Sequence, residues 1–287
     1  MPTATLNGVS IAYDDIAPPT APAGGGVLSE RDWIASRDPE GPAERTILLL
    51  HGFASNRNEG WQRTGWYQAL GRRGFRVIAM DQRGHGESVR SHDPADYGRA
   101  NLAADALALL DHLGVRQPEV FGYSMGTRTA MQMAIDAPER VNNLILGGVG
   151  GKLFDPPRAT ENGETIVTAM EADDPTSIKT EFLRSFRQFA DEQGEDRQAL
   201  AAFSQAFSTP LDREALGRLD MPVLVVAGVG DDLAGDPVEL ARLFPYGKGK
   251  VLGGCDHFSA IPHGALKAAV LDFLDGVPDE DDFPPFE

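Results

Sequence analysis

Short apolar runs recur along the chain, and most are continuous rather than alternating. The clearest are Thr46 to Leu50, Phe75 to Met80, Glu119 to Tyr123, Asn143 to Gly147 and Pro222 to Ala227, with a weaker one at Lys250 to Leu252. A strand alternates when one face meets water. A continuous run marks a strand buried on both faces, as parallel strands are. Helical patterns lie between the runs. Asn101 to Leu113 sets Leu102, Leu109 and Leu113 along one side, with Gly114 as a C-cap. Trp66 to Arg73, Thr127 to Ala137 and Ala265 to Leu274 read the same way. This alternation predicts an α/β fold, a doubly wound and mostly parallel sheet covered on both sides. Leu6 to Asp14, with its Asn7-Gly8 turn, predicts an antiparallel hairpin at one edge.

Two stretches break the rhythm. Ala17 to Pro42 is rich in Pro, Gly and Ala and reads as a long surface loop, with a helical turn near Arg31 to Ala35. Gly151 to Leu219 separates two strands, looks helical throughout, and holds Phe154, Phe182, Phe186, Phe189, Phe203 and Phe207. Phe182, Phe186 and Phe189 share one helix face. The expected organisation is therefore a core domain from residues 1–150 and 220–287, with residues 151–219 inserted as a helical cap or lid. The acidic tail from Pro278 to Glu287 is expected to be loosely held.

The chain's 287 residues carry a net charge of −17, which excludes a polyanionic partner such as nucleic acid and predicts a well-solvated surface. Cys255 is the single cysteine, so an intrachain disulfide is impossible and a reducing compartment is suited. Met1 to Ala12 lacks the pattern of a secretory signal, and no apolar run reaches the roughly 20 residues that span a bilayer. A cytoplasmic protein with no membrane partner is expected.

Gly122-Tyr123-Ser124-Met125-Gly126 is a G-x-S-x-G run between an apolar strand and a helical pattern. A serine on so sharp a turn projects its hydroxyl, and small flanking residues leave room for the backbone. Such a serine needs a base, and histidine is the usual one. Of six histidines, His51 ends a strand, His85 and His92 lie in turns, and His112 falls inside a helix. That leaves His257, in a loop after the last strand, ahead of His263 beside the last helix. A carboxylate must steady the imidazole. Asp231 and Asp232 both follow the strand Pro222 to Ala227, and the turn Gly228-Val229-Gly230 favours Asp231. The expected oxyanion donors are the backbone N–H groups of Met125 and, in His51-Gly52-Phe53, of Phe53.

With these motifs in order, the chain resembles the α/β-hydrolase fold enzymes over roughly Thr46 to Leu274. The likeness rests on His51-Gly52-Phe53, Asp81-Gln82-Arg83-Gly84-His85-Gly86-Glu87-Ser88, Gly122 to Gly126, Gly228 to Asp231 and His257. It implies that Asp81 to Ser88 is a structural turn beside the pocket. Ser124 in place of aspartate argues against epoxide and haloalkane chemistry, and none of the five tyrosines lies in Gly151 to Leu219. The expected activity is that of a carboxylesterase-like serine hydrolase acting on a small-molecule ester, with catalytic Ser124, Asp231 and His257. Phe154, Phe182 and Phe186 are expected to contact substrate, although they equally suit the cap's own core. A C–C bond hydrolase, a cofactor-free perhydrolase and a noncatalytic receptor remain alternatives. Lys152, Arg158, Lys179, Arg184 and Arg187 are the basic side chains to consider for an anionic dienoate. No dinucleotide fingerprint, P-loop or metal cluster is present, so no cofactor is expected.

Overall fold

The computed structural model describes residues 2–19, 45–155, 160, 162–206 and 211–277. Its eight-stranded sheet comprises β1 (Thr3–Leu6), β2 (Val9–Ile16), β3 (Arg45–Leu50), β4 (Phe75–Met80), β5 (Glu119–Tyr123), β6 (Leu144–Gly147), β7 (Val223–Gly228) and β8 (Gly247–Leu252). The spatial order is β1-β2-β4-β3-β5-β6-β7-β8. β2 runs antiparallel to β1 and β4, and the other pairings are parallel. Asn7 and Gly8, with φ of 49° and 82°, form the hairpin turn between β1 and β2. The long loop expected over 17–42, apart from its first residues, lies outside the described residues. So do its helical turn at 31–35, Arg158, Phe207 and the tail.

The continuous runs are explained by two cores. Leu48, Leu50, Val120, Leu144 and Leu146 point to one face of the sheet, and Ile47, Leu49, Phe121 and Ile145 to the other. The first face is covered by α2 (Arg99–His112), α3 (Met125–Asp136) and α8 (Pro237–Ala241). The second is covered by α1 (Trp66–Gly71) and α9 (Gly264–Leu274). β8 extends three residues further back than its apolar run. Among the described residues it pairs with β7 alone, so its half-exposed Lys248 and Lys250 tolerate polarity.

Between β6 and β7 stand α4 (Ile166–Glu171), α5 (Glu181–Glu192), α6 (Arg197–Ala206) and the short α7 (Arg213–Leu216). Met170, Phe186, Ala190 and Leu200 form a small core that closes on Phe53 and Ala54 of the main domain. Phe203 packs with Tyr97, Leu102 and Met125. The helical insertion therefore sits over the loops that follow β3 and β5. Among the described residues, no helix is long and apolar enough to cross a membrane.

The turn from Asp81 to Ser88 is held by buried charge. Arg57 pairs with Asp81, Glu87 and Asp14. The Asp81 carboxylate also accepts from the amides of Arg57 at 2.7 Å and Glu87 at 2.8 Å. Gly86 has φ +55°, and a Cβ there would lie 2.2 Å from Asp81 Oδ2. Arg83 binds Asp105 with two parallel bonds, Nε to Oδ2 at 2.6 Å and Nη2 to Oδ1 at 2.8 Å. None of these groups lines the cavities around Ser124.

Breaking one partner of a buried pair strands the other's charge, which costs about 3–5 kcal/mol. Arg83→Met is accordingly expected to lower unfolding free energy by that amount in urea titration. A change below about 1 kcal/mol would mean that the pair behaves as a surface one.

Candidate active site

Ser124 occupies φ 52° and ψ −115°, a backbone region rarely taken by a residue with a side chain. Its neighbours make the turn sterically feasible. A Cβ on Gly122 would fall 2.4 Å from the Gly126 carbonyl oxygen, and one on Gly126 would fall 2.1 Å from that of Leu50. The Ser124 amide is held by the Gly147 carbonyl at 2.8 Å, and Thr127 N donates back to Ser124 O at 3.0 Å. The hydroxyl thus leaves the C-terminal edge of β5 at the start of α3.

That hydroxyl lies 2.8 Å from His257 Nε2, and His257 Nδ1 lies 2.8 Å from Asp231 Oδ2. The second carboxylate oxygen of Asp231 accepts from the amides of Leu233 at 3.1 Å and Ala234 at 2.9 Å. The carboxylate is therefore fixed from both sides and buried, whereas Asp232 is exposed. With Asp231 accepting, His257 Nδ1 carries the proton and Nε2 is left as the acceptor facing Ser124. Tyr123 Oη donates to the His257 carbonyl at 2.6 Å and anchors the loop from beneath. His263 is engaged elsewhere: its Nδ1 accepts from Ala265 N at 3.2 Å and caps α9.

Gly52 abuts Ser124, its Cβ position lying 3.4 Å from the serine Cβ. The turn carrying Phe53 therefore borders the hydroxyl. Among the described residues, neither the Phe53 nor the Met125 amide has a protein acceptor. His51 shapes this loop. Its Nε2 accepts from Gln82 N at 3.0 Å, its Nδ1 donates to Gly52 O at 2.8 Å, and Gln82 Nε2 returns to His51 O at 2.8 Å. Burial pushes the His51 pKa down. Burial pushes His85 down further, with His51 adding to the effect.

Two cavities meet at Ser124 and His257. One, of about 530 Å³, runs under α4, α5 and α6 and is bordered by Phe154, Phe182, Phe186, Phe203 and Arg128. The other, of about 460 Å³, is bordered by Phe189, Phe258, Glu59 and Glu192. Phe53 and Phe186 wall both. Phe182 and Phe186 also belong to the insertion's own core, so each serves two surfaces. Among the described residues, no group of His, Cys, Asp and Glu is arranged to hold a metal.

Residues 45–173 match the family model described as alpha/beta hydrolase fold. The sheet order and the Ser124 elbow agree with that match. The chain has the α/β-hydrolase fold, and its similarities are to hydrolases. It is 29% identical to 3-oxoadipate enol-lactonase 2 of Acinetobacter baylyi, over 71% of this chain and 78% of that one. It is 28% identical to 2-hydroxymuconate semialdehyde hydrolase of Pseudomonas putida, over 78% and 85%. The enol-lactonase structure from Burkholderia xenovorans superposes with a TM-score of 0.69 at 20% identity, covering 96% of this chain and all 100% of the other. At that identity the superposition speaks for the fold alone.

Several cavity residues carry no sequence signature. The Phe53 ring, Phe203 and Phe258 come from three separate segments. Arg128 reads in sequence as a solvated helix position. Of the basic candidates, Lys152 lines the larger cavity but is exposed, and its Nζ donates to Asp232 O at 2.8 Å. Arg187 is buried against the carbonyls of Ala169 and Ala172, and Arg184 binds the Ile178 carbonyl, both outside the two cavities. Lys179 lies outside both cavities as well.

Neutral burial of His51 and His85 has a pH signature. Their folded pKa values lie below 6.5, so the unfolded chain binds more protons as pH falls through that value. Stability is fully present above about pH 6.5 and declines below it, by up to about 1.4 kcal/mol per pH unit for each histidine. His85→Leu should shrink the loss of unfolding free energy between about pH 7 and pH 5.5 by about 1 kcal/mol. An unchanged loss in urea titrations at the two pH values would show that His85 titrates normally in the fold.

Proposed function

We propose that this protein is a serine hydrolase that cleaves carboxylic esters of small molecules through an acyl-serine intermediate. The observation that carries this reading is the unbroken hydrogen-bond chain from Ser124 through His257 to Asp231, at the junction of two apolar-walled cavities. His257 Nε2 takes the Ser124 proton while Oγ attacks the ester carbonyl carbon. The tetrahedral oxyanion is received by the Phe53 and Met125 amides, the latter at the N-terminus of α3, where the helix dipole favours negative charge. The intermediate collapses, the carbon–oxygen bond to the alcohol breaks, and the leaving oxygen takes the proton from His257. Water then gives a proton to His257 and attacks the acyl carbon. The acid leaves, and the proton returns to Ser124. Asp231 holds the Nδ1–H tautomer and stabilises the imidazolium. Residues 151–219 act as the cap, with Phe154, Phe182 and Phe186 against the substrate.

A second reading is favoured by one relative. 2-Hydroxymuconate semialdehyde contains no ester, so its hydrolysis breaks a carbon–carbon bond. The same triad serves that reaction when a carbanion equivalent is the leaving group. An aryl ester assayed beside an unsaturated 2-hydroxy-6-oxo acid separates the two, and the higher kcat/KM assigns the class. A burst of product followed by a stall with both would indicate a receptor.

Ser124→Ala is expected to lower kcat for p-nitrophenyl esters by about a millionfold with the fold retained by circular dichroism, and near-normal turnover would remove Ser124 from the reaction. Asp231→Asn is expected to reduce kcat by about ten-thousandfold through the wrong tautomer, whereas Asp232→Asn leaves it within about twofold. The reverse ranking would move the acid to Asp232.

A further inference from the structure

The larger cavity is apolar on most of its surface but is lined by the guanidinium of Arg128, which has no counterpart among the described residues. Arg128 lies in the first turn of α3, four residues after Ser124. It lines the cavity that also contains Ser124 and His257, and it is half-buried. Among the described residues no carboxylate or carbonyl pairs with it. Burial pulls its pKa down, and the like charge of Arg99 adds to the effect. Lys152 and Asp155 border the same cavity, but both are exposed and neither pairs with Arg128. In a chain of net charge −17, carboxylates are plentiful, yet among the described residues none pairs with this guanidinium.

A half-buried cation without a partner is destabilised until an anion arrives. Its planar fork suits a carboxylate in two-point contact. The opposite cavity offers no such welcome: no Lys or Arg lines it, and of its two carboxylates Glu59 is held by Arg63 and Glu192 is exposed. We propose that Arg128 is a specificity-determining residue that receives a carboxylate carried by the substrate, so that the preferred substrates are carboxylic esters bearing a second, ionised carboxyl group in the larger cavity. This deepens the ester-hydrolase reading and rests on it. The carboxylate can be borne by the acyl part or by the alcohol part, and the test distinguishes them.

The experiment compares kcat/KM for p-nitrophenyl hemiglutarate against p-nitrophenyl valerate, and for the butanoyl ester of glycolate against ethyl butanoate. These are measured in the wild-type protein, Arg128→Met and Arg128→Lys. The wild type should prefer the charged member of one pair, and Arg128→Met should lower that charged-to-neutral ratio by about tenfold to a hundredfold, chiefly through KM. Arg128→Lys should recover part of it. The pair that responds identifies the side that bears the carboxylate. A wild type without preference in either pair, or a ratio unmoved in Arg128→Met, overturns the proposal.

If no ester is turned over, the ester reading fails by itself, and carboxylate recognition is read separately by titrating glutarate into Ser124→Ala and Ser124→Ala/Arg128→Met. Saturable binding weakened tenfold or more by loss of Arg128 supports the site. No binding, or equal binding to both, overturns it.

Discussion

The site depends on two residues without a Cβ allowing backbone to touch backbone. Gly126 lies against the Leu50 carbonyl, and Gly122 against the Gly126 carbonyl and the Thr127 amide. These contacts bring the first turn of α3 down between the ends of β3 and β5. They also impose the uncommon dihedrals of Ser124, a strain of order 1–3 kcal/mol that the surrounding bonds must hold. From that one crossing come the direction of the serine hydroxyl, the free amide of Met125, the proximity of the Gly52–Phe53 turn and the position of Arg128 one helical turn on. A methyl group at either glycine would lift the helix and move all four together.

Beneath the elbow the chain invests its buried polarity in loops rather than in the cavities. Arg57 with Asp81, Arg83 with Asp105, and His51 with Gln82 all fix backbone that borders the site without lining it. Glu195 extends this frame to the insertion, since its carboxylate accepts from Gly86 N at 2.9 Å and Asn56 Nδ2 at 3.2 Å. Burial raises its pKa, so this tie relies on those donors to hold the charged form. The floor of the site is thus rigid and hydrogen-bonded, and its walls are mostly rings. Apolar walls strengthen the few polar interactions left inside, because little water competes with them.

What was legible in the sequence follows from which forces act locally. The central strands could be read because burial on both faces demands continuous apolar residues. β8 was under-read because one face and one edge release that demand. Helix ends fell within two residues of expectation, as caps and breakers are local signals. The elbow was legible for the same reason: its requirement for Gly, Ser and Gly is steric and confined to five residues. The preference for Asp231 over Asp232 came from the Gly228-Val229-Gly230 turn, whereas the Leu233 and Ala234 amides that hold the Asp231 side chain could not be foreseen. Nor were the Phe53 ring, Phe258 and Arg128 readable as cavity walls, because only the fold of the insertion over the sheet brings them to the two chambers that meet at Ser124.

The two cavities differ in charge more than in size, and this bears on how a substrate would be oriented. A net charge of −17 repels anions at long range, so an anionic substrate gains nothing on approach. That repulsion is screened beyond roughly 8–10 Å at physiological salt, whereas Arg128 acts inside a chamber where screening is weak. Binding would then be decided after entry, by a local contact, since no Lys or Arg lines the other cavity to receive the reversed pose. An ester is nearly symmetric about its carbonyl in shape. A guanidinium without a partner among the described residues on one side of Ser124, and no Lys or Arg on the other, is enough to break that symmetry.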